Sequence, residues 1–293
     1  MVIAYLGIIV ASVTQSATTK LYNRKSGSSA VFNAIKALSS LALFTLMIFG
    51  GFELHIPTLL FGLFYGIALT VSMYSGFRAL CLGPMALTGM LVSFSIIIPL
   101  IWGITAGNEN LLPLHVVALT LLLCSIVLTN WDKLFCNTKS LPQENREPKK
   151  RSYGLWLLFV IITFSCNGIC SVLQKQHQNL YPKAYSREFM FFAMLLCAVI
   201  FSVISLIKAS PSEIKENKGK LLGVLSGVAN GFANFLTLYL AGLEKTSILF
   251  PIISAGTLLS SILCGRVFFK ERLKLNHYLA LVCGMLAVVL LKI

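Results

Sequence analysis

Of the 293 residues, 57% are hydrophobic and only 12% are charged, about half the charged share of a soluble domain. Water therefore cannot be the main solvent of this surface, and lipid takes its place. The net charge of +14 does not point to nucleic acid, because the Lys and Arg residues occupy short loops and form neither a recognition helix nor a basic patch interleaved with aromatics.

A helix needs about 20 apolar residues to cross the hydrocarbon core. The first such run, 2–20, is expected to stay in the chain, since no basic residue precedes Val2 while Lys20, Arg24 and Lys25 follow the run. It contains "SVTQSATTK", with Thr14, Gln15, Thr18 and Thr19 among apolar neighbours. The second run, 30–50, carries Lys36 about two turns in. Burying an ammonium at mid-bilayer costs about 2.5 to 3.5 kcal/mol on insertion scales. Lys36 either snorkels to the interface or anchors an anionic substrate group.

The third run, 57–77, has Gly62 and Gly66 four apart, then Ser72 and Tyr74. The fourth, 84–106, holds Ser93, Ser95 and Pro99. The fifth, 112–130, opens at Pro113, a start signal because the missing N–H would have had no partner. Next comes the longest connection, "WDKLFCNTKSLPQENREPKKRS", which is polar and contains two prolines. It divides the chain into 1–131, a linker at 132–152, and 153–293.

The sixth run, 153–174, includes "TFSCNGICS", with Ser165, Asn167 and Ser171. The seventh spans 188–207, and the eighth, 221–241, has Gly223, Gly227 and Gly231 together with Asn230 and Asn234, four apart on one face. The ninth, 247–268, contains Pro251, Ser254 and Thr257, and the tenth is 276–292.

The loops are asymmetric. Those after odd-numbered runs carry 18 Lys and Arg, and the other side carries 5. The positive-inside rule places the first set in the cytoplasm and both termini outside an inner cell membrane.

Five crossings per half is an odd number, so two related halves insert in opposite senses. A shift of 162 sets Glu109 on Glu271, Leu111 on Leu273, His115 on His277 and Ala118 on Ala280. A shift of 161 sets Gly62 and Gly66 on Gly223 and Gly227. The expected fold is all-α integral membrane, ten transmembrane helices as two five-helix inverted repeats. Glu109 and Glu271 precede the fifth and tenth runs, where a carboxylate meets the positive end of the next helix. His115 and His277 read as interfacial anchors.

"ALCLGPMALTGMLV" and "AGLEKTSILFPIISAGTLLSSILCGRVFFKERLKLNHYLALVCGMLAVVLL", set within two five-helix halves, resemble the EamA-type permeases of the drug/metabolite transporter superfamily. The resemblance spans nearly the whole chain and is strongest over runs three to five and eight to ten. It implies a ten-helix carrier, commonly an exporter of amino acids, other metabolites or drugs. It also implies cytoplasmic termini in many relatives, against the orientation that the loop charge indicates.

A carrier needs polar groups near mid-membrane. Gln15, Asn167, Asn230, Asn234, Tyr74, Ser93, Ser254 and Lys36 are the expected substrate-binding residues. The amide and hydroxyl residues could instead bond a neighbouring helix, worth about 0.6 kcal/mol each. Pro99 and Pro251 are expected to interrupt the fourth and ninth helices beside a cavity.

No Asp or Glu lies in the middle of a run, which argues against exchange of cationic drugs. There is no Walker-type phosphate loop. The cysteines lack the spacing of a metal site and read as packing residues. No catalytic group, cofactor or metal is expected. The function expected is a secondary transporter, efflux permease or facilitator, for a small polar or zwitterionic metabolite such as an amino acid, by alternating access. The alternative is a non-transporting structural or sensory membrane subunit. The expected partners are the lipid bilayer and a small-molecule substrate, without nucleic acid, for a monomer or homodimer.

Overall fold

A computed structural model describes residues 1–23, 28–82, 88, 91–107, 113–129, 150–209, 219–269 and 275–290. Glu109, Glu271 and the linker up to residue 149 lie outside the described residues, as does the side chain of His277.

Most of the described residues are helical. In chain order they form α1 (Val2–Asn23), α2 (Ser29–Ile48), α3 (Ile56–Leu82), α4 (Ile97–Thr105, entered through a 3-10 turn at Phe94–Ile96), α5 (Pro113–Thr129), α6 (Lys150–Leu180), α7 (Ser186–Lys208), α8 (Lys220–Ala241), α9 (Thr246–Phe269) and α10 (Leu275–Leu290). Six of these, α1 to α3 and α6 to α8, are long and apolar enough to cross a membrane. Shorter apolar helical segments cover Leu91–Thr105, Pro113–Leu128, Thr246–Thr257 and Tyr278–Ala287. The chain is a multi-pass membrane protein.

Its surface is the reverse of a soluble protein's. Ile3, Leu46, Ile207 and Leu221 are exposed, whereas Ser40, Ser125, His177 and Ser226 are fully buried. Apolar side chains meet lipid, and polar ones must find partners inside.

The helices gather into two compact units. Unit 1 comprises Met1–Thr70 and Cys170–Glu244, and unit 2 comprises Val71–Ile169 and Lys245–Ile293. Each unit draws on both sequence halves, and α3 and α6 contribute to both.

In unit 1, α8 lies against α1 through Ala11, Ala229 and Ala233, and against α2 through its glycines. A Cβ on Gly227 would overlap the Lys36 carbonyl, and Ser40 Oγ donates to the Gly227 carbonyl at 2.6 Å. α3 meets α7 in the same way, since a Cβ on Gly66 would stand 2.8 Å from the Ala193 carbonyl oxygen. Small residues let backbones come this close where lipid offers no hydrophobic drive to associate. Phe44, Tyr65, Phe189, Met190, Met194 and Leu238 fill the core beneath.

In unit 2, the end of α3 runs antiparallel to the start of α6. Ser72 Oγ donates to Asn167 Oδ1 at 2.5 Å, Ser75 and Thr163 hydroxyls pair at 2.8 Å, and Ala79 packs on Trp156 and Val160. Trp156 Nε1 donates to Thr88 Oγ1 at 2.8 Å. Elsewhere in the unit, Ser125 Oγ on α5 donates to the Ala280 carbonyl on α10 at 2.7 Å.

The two prolines differ from expectation in detail. Pro251 lies inside α9, which continues through it from Thr246 to Phe269 without the expected interruption. Pro99 falls in the first turn of α4, just after the 3-10 turn, so the irregular backbone precedes it. His115 is 4% exposed, with Nδ1 unpartnered among the described residues.

Candidate functional site

The expected site residues fall in both units. Gln15, Lys36, Asn230 and Asn234 belong to unit 1, and Tyr74, Ser93, Asn167 and Ser254 to unit 2.

In unit 1, Asn234 Oδ1 accepts the Tyr65 hydroxyl at 2.8 Å, and Asn234 Nδ2 donates back to the Asn230 carbonyl at 2.8 Å. Gln174 Nε2 donates to Tyr65 Oη at 3.1 Å. Three helices, α3, α6 and α8, are thus tied by one phenol and two amides. Asn230 is 6% exposed, and its side-chain amide makes no hydrogen bond among the described residues. Gln15 is half-buried, and its carbonyl accepts the hydroxyls of Thr18 and Thr19.

Lys36 is also 6% exposed. No hydrogen bond or ion pair reaches its ammonium among the described residues, while its carbonyl accepts Ser40 Oγ. An ammonium removed from water without a partner is costly and usually marks a ligand path.

In unit 2 the amide of Asn167 is engaged by Ser72. Tyr74 is occupied by Arg78, whose Nε donates to the phenolic oxygen at 3.3 Å and whose guanidinium carbon lies 5.8 Å from the ring centre. Ser93 closes the segment leading to the 3-10 turn, and the Ser254 carbonyl accepts Thr257 Oγ1 at 3.0 Å.

The richest polar cluster in unit 1 was not among the expected residues. The sixth run was expected to stop at 174, where "QKQHQ" begins, but α6 continues to Leu180. Gln174, Lys175, His177 and Gln178 are therefore buried helical residues. Lys175 Nζ donates to the Ala241 and Glu244 carbonyls at 2.9 and 2.6 Å, so its charge caps the negative end of α8.

Gln178 holds the α6–α7 turn. Its Oε1 accepts the Lys183 N–H at 3.0 Å, and its Nε2 reaches Ser186 Oγ at 3.0 Å and His177 Nδ1 at 3.3 Å. Because Nε2 can only donate, His177 Nδ1 accepts and Nε2 carries the ring proton. That proton goes to Thr58 Oγ1 at 3.1 Å, which in turn donates to His55 Nδ1 at 2.9 Å. The order of donors is set along the whole chain. His55 then stacks on Tyr185, with ring centres 4.4 Å apart and planes within 4°. Lys183 and Tyr185 have φ of 60° and 52°, a left-handed backbone these contacts hold in place.

Beside this turn, still within unit 1, is a cavity of about 700 Å³. Glu53, Lys183, Arg187 and Glu188 bring both signs of charge to its wall, with Tyr185 and Phe235 among the aromatic lining. Arg187 Nη1 donates to the Met47 carbonyl at 3.2 Å, at the end of α2. Glu188, in the first turn of α7, is 4% exposed. Among the described residues its carboxylate has no hydrogen bond or ion pair. The sequence signal for it was weak, since Glu188 stands at the first position of the seventh apolar run.

Among the described residues no group of His, Cys, Asp and Glu is arranged to hold a metal.

Known proteins supply the remaining comparison. No curated protein matches the chain. A solved structure, titled only "Crystal structure of protein", superposes with a TM-score of 0.74 over 99% of this chain and 98% of that one, at 17% identity. At that identity the likeness is one of fold alone. The EamA-like transporter family matches residues 154–293, so the second half of the chain is similar to that family of membrane transporters.

Proposed function

We propose that the chain is a secondary carrier of the inner cell membrane, an efflux permease or facilitator, moving a small polar or zwitterionic metabolite such as an amino acid by alternating access. Ten crossings in two inverted five-helix repeats, with both termini outside, are part of this reading. So is a monomeric or homodimeric state.

The observation that carries it is Lys36. A buried ammonium that no hydrogen bond or ion pair reaches among the described residues suits a carrier that lends its cation to the anionic group of a passing solute. A subunit with only a structural role would gain by replacing it with an apolar residue. Asn230, with its unengaged amide, Asn234 and Gln15 are proposed to contact the solute in unit 1. Tyr74, Ser93, Asn167 and Ser254 are candidates of the same kind within unit 2.

The test is counterflow of labelled amino acids into liposomes containing the purified chain. Saturable exchange that Lys36→Met reduces by roughly tenfold or more supports the carrier. No exchange with any zwitterion favours the alternative of a non-transporting subunit.

A further inference from the structure

We propose that the cavity at the loop end of unit 1 is a recognition site for a zwitterionic small molecule, with its ammonium on Glu188 and its carboxylate on Arg187. Three features of the cavity point there.

The first is the unused charge. Four ionic side chains line about 700 Å³, two acidic and two basic, yet no ion pair joins any of them among the described residues. For Arg187 and Glu188 the cause is geometric. Adjacent residues on a helix point about 100° apart, so the two head groups diverge into the cavity and cannot neutralise each other. A solute with opposite charges at its two ends can reach both.

The second is the burial of Glu188. Glu188 is 4% exposed and lines the cavity, and no hydrogen bond or ion pair reaches its carboxylate among the described residues. An ammonium would supply both the counter-charge and the hydrogen bonds. Arg187 keeps donors in reserve, since only Nη1 is engaged, by the Met47 carbonyl, and a guanidinium has five N–H groups.

The third is the wall. Glu53 and Lys183 are exposed and repeat the pair of opposite signs at the rim, so the cavity carries no net charge and disfavours simple cations and simple anions alike. Phe52, Phe235 and Tyr239 offer apolar surface to the rest of the solute. Tyr185 is held by its stack on His55 and by the Gln178 latch, so this side of the cavity is built in advance.

The loop residues involved lie on the side that loop charge assigns to the exterior, which makes the cavity an outer station on the route. That the occupant is also the transported solute rests on the carrier reading; binding does not.

The experiment is thermal unfolding of the purified full-length chain with each proteinogenic amino acid. The methyl ester (a cation) and the N-acetyl derivative (an anion) of every binder follow. The expected result is stabilisation by at least one zwitterion, with both single-charge derivatives weaker by roughly tenfold to a hundredfold. Glu188→Gln should bring the zwitterion down to the level of its N-acetyl derivative while leaving that derivative unchanged. Arg187→Gln should do the same relative to the ester. No zwitterion binding to the unaltered chain, equal binding of all three forms, or unchanged binding by Glu188→Gln overturns the proposal. Flux in liposomes that persists in Glu188→Gln with binding unchanged would sink this site and leave the carrier standing. Binding without flux would sink the carrier and leave the site.

Discussion

Tyr65 on α3 donates its phenolic hydrogen to Asn234 Oδ1 on α8 across 169 positions of sequence, at 2.8 Å. The Tyr65 phenolic oxygen in turn accepts from Gln174 Nε2 on α6 at 3.1 Å. Tyr65 is 1% exposed, so water cannot replace it. Tyr65→Phe should lower stability by about 1–3 kcal/mol, because Asn234 Oδ1 loses its donor and Gln174 Nε2 keeps only the longer contact to the Asn234 carbonyl at 3.5 Å. A double-mutant cycle with Asn234→Leu in detergent unfolding checks it; strictly additive losses would mean the two groups do not interact.

The glycine approach of α3 to α7 makes a second prediction. Gly66→Ala drives a methyl toward the Ala193 backbone, with oxygen at 2.8 Å and Cα at 3.2 Å. Neither atom can yield as a flexible side chain would. A loss of about 1–3 kcal/mol is expected, as for overpacking in general. Gly154→Ala is the control, because nothing lies within 4 Å of the added atom; it should be neutral or slightly stabilising, as a helix prefers Ala. Equal melting temperatures for the two variants would contradict the packing.

Lys175 serves structure where Lys36 is proposed to serve the solute. Lys175→Met removes both donors from the Ala241 and Glu244 carbonyls, and the end of α8 loses its cap. The expected cost is about 1–3 kcal/mol, seen as a lower midpoint and faster proteolysis after residue 241. Lys36→Met should leave that midpoint unchanged or raise it, since an unpaired buried charge is removed. Two variants with the same melting shift would erase the distinction.

Orientation is open to a direct check. With both termini outside, a C-terminal alkaline phosphatase fusion should be active and a fluorescent-protein fusion dark. The opposite pair of results would reverse the topology that loop charge indicates.

Much of the architecture was legible in the chain because lipid imposes a simple rule. A backbone that cannot bond to water must bond to itself, so apolar length becomes helix. The run 188–207 became Ser186–Lys208, and 221–241 became Lys220–Ala241. Where polarity and helix part company, the reading failed. Run six ended on paper at 174, but the helix continues to Leu180, because Tyr65, Ala241, Thr58 and Ser186 supply partners for its polar residues. A sequence shows that Gln174 to Gln178 are polar but not that their partners lie on other helices.

The glycines divide in the same way. Their spacing marks close-packing faces on α3 and α8, and only the folded chain decides that the first meets α7 and the second α2. Asn167 was visible as an amide in an apolar run, while its engagement by Ser72 depends on the antiparallel pairing of α3 with α6. Glu188 gave no notice of its burial, since a carboxylate at a helix start is ordinarily solvated. By itself the sequence determined where the helices run and that lipid surrounds them, because both follow from local hydrophobicity. The tertiary structure alone decided which polar groups are satisfied and which are left waiting, because hydrogen bonds and burial depend on neighbours far away along the chain.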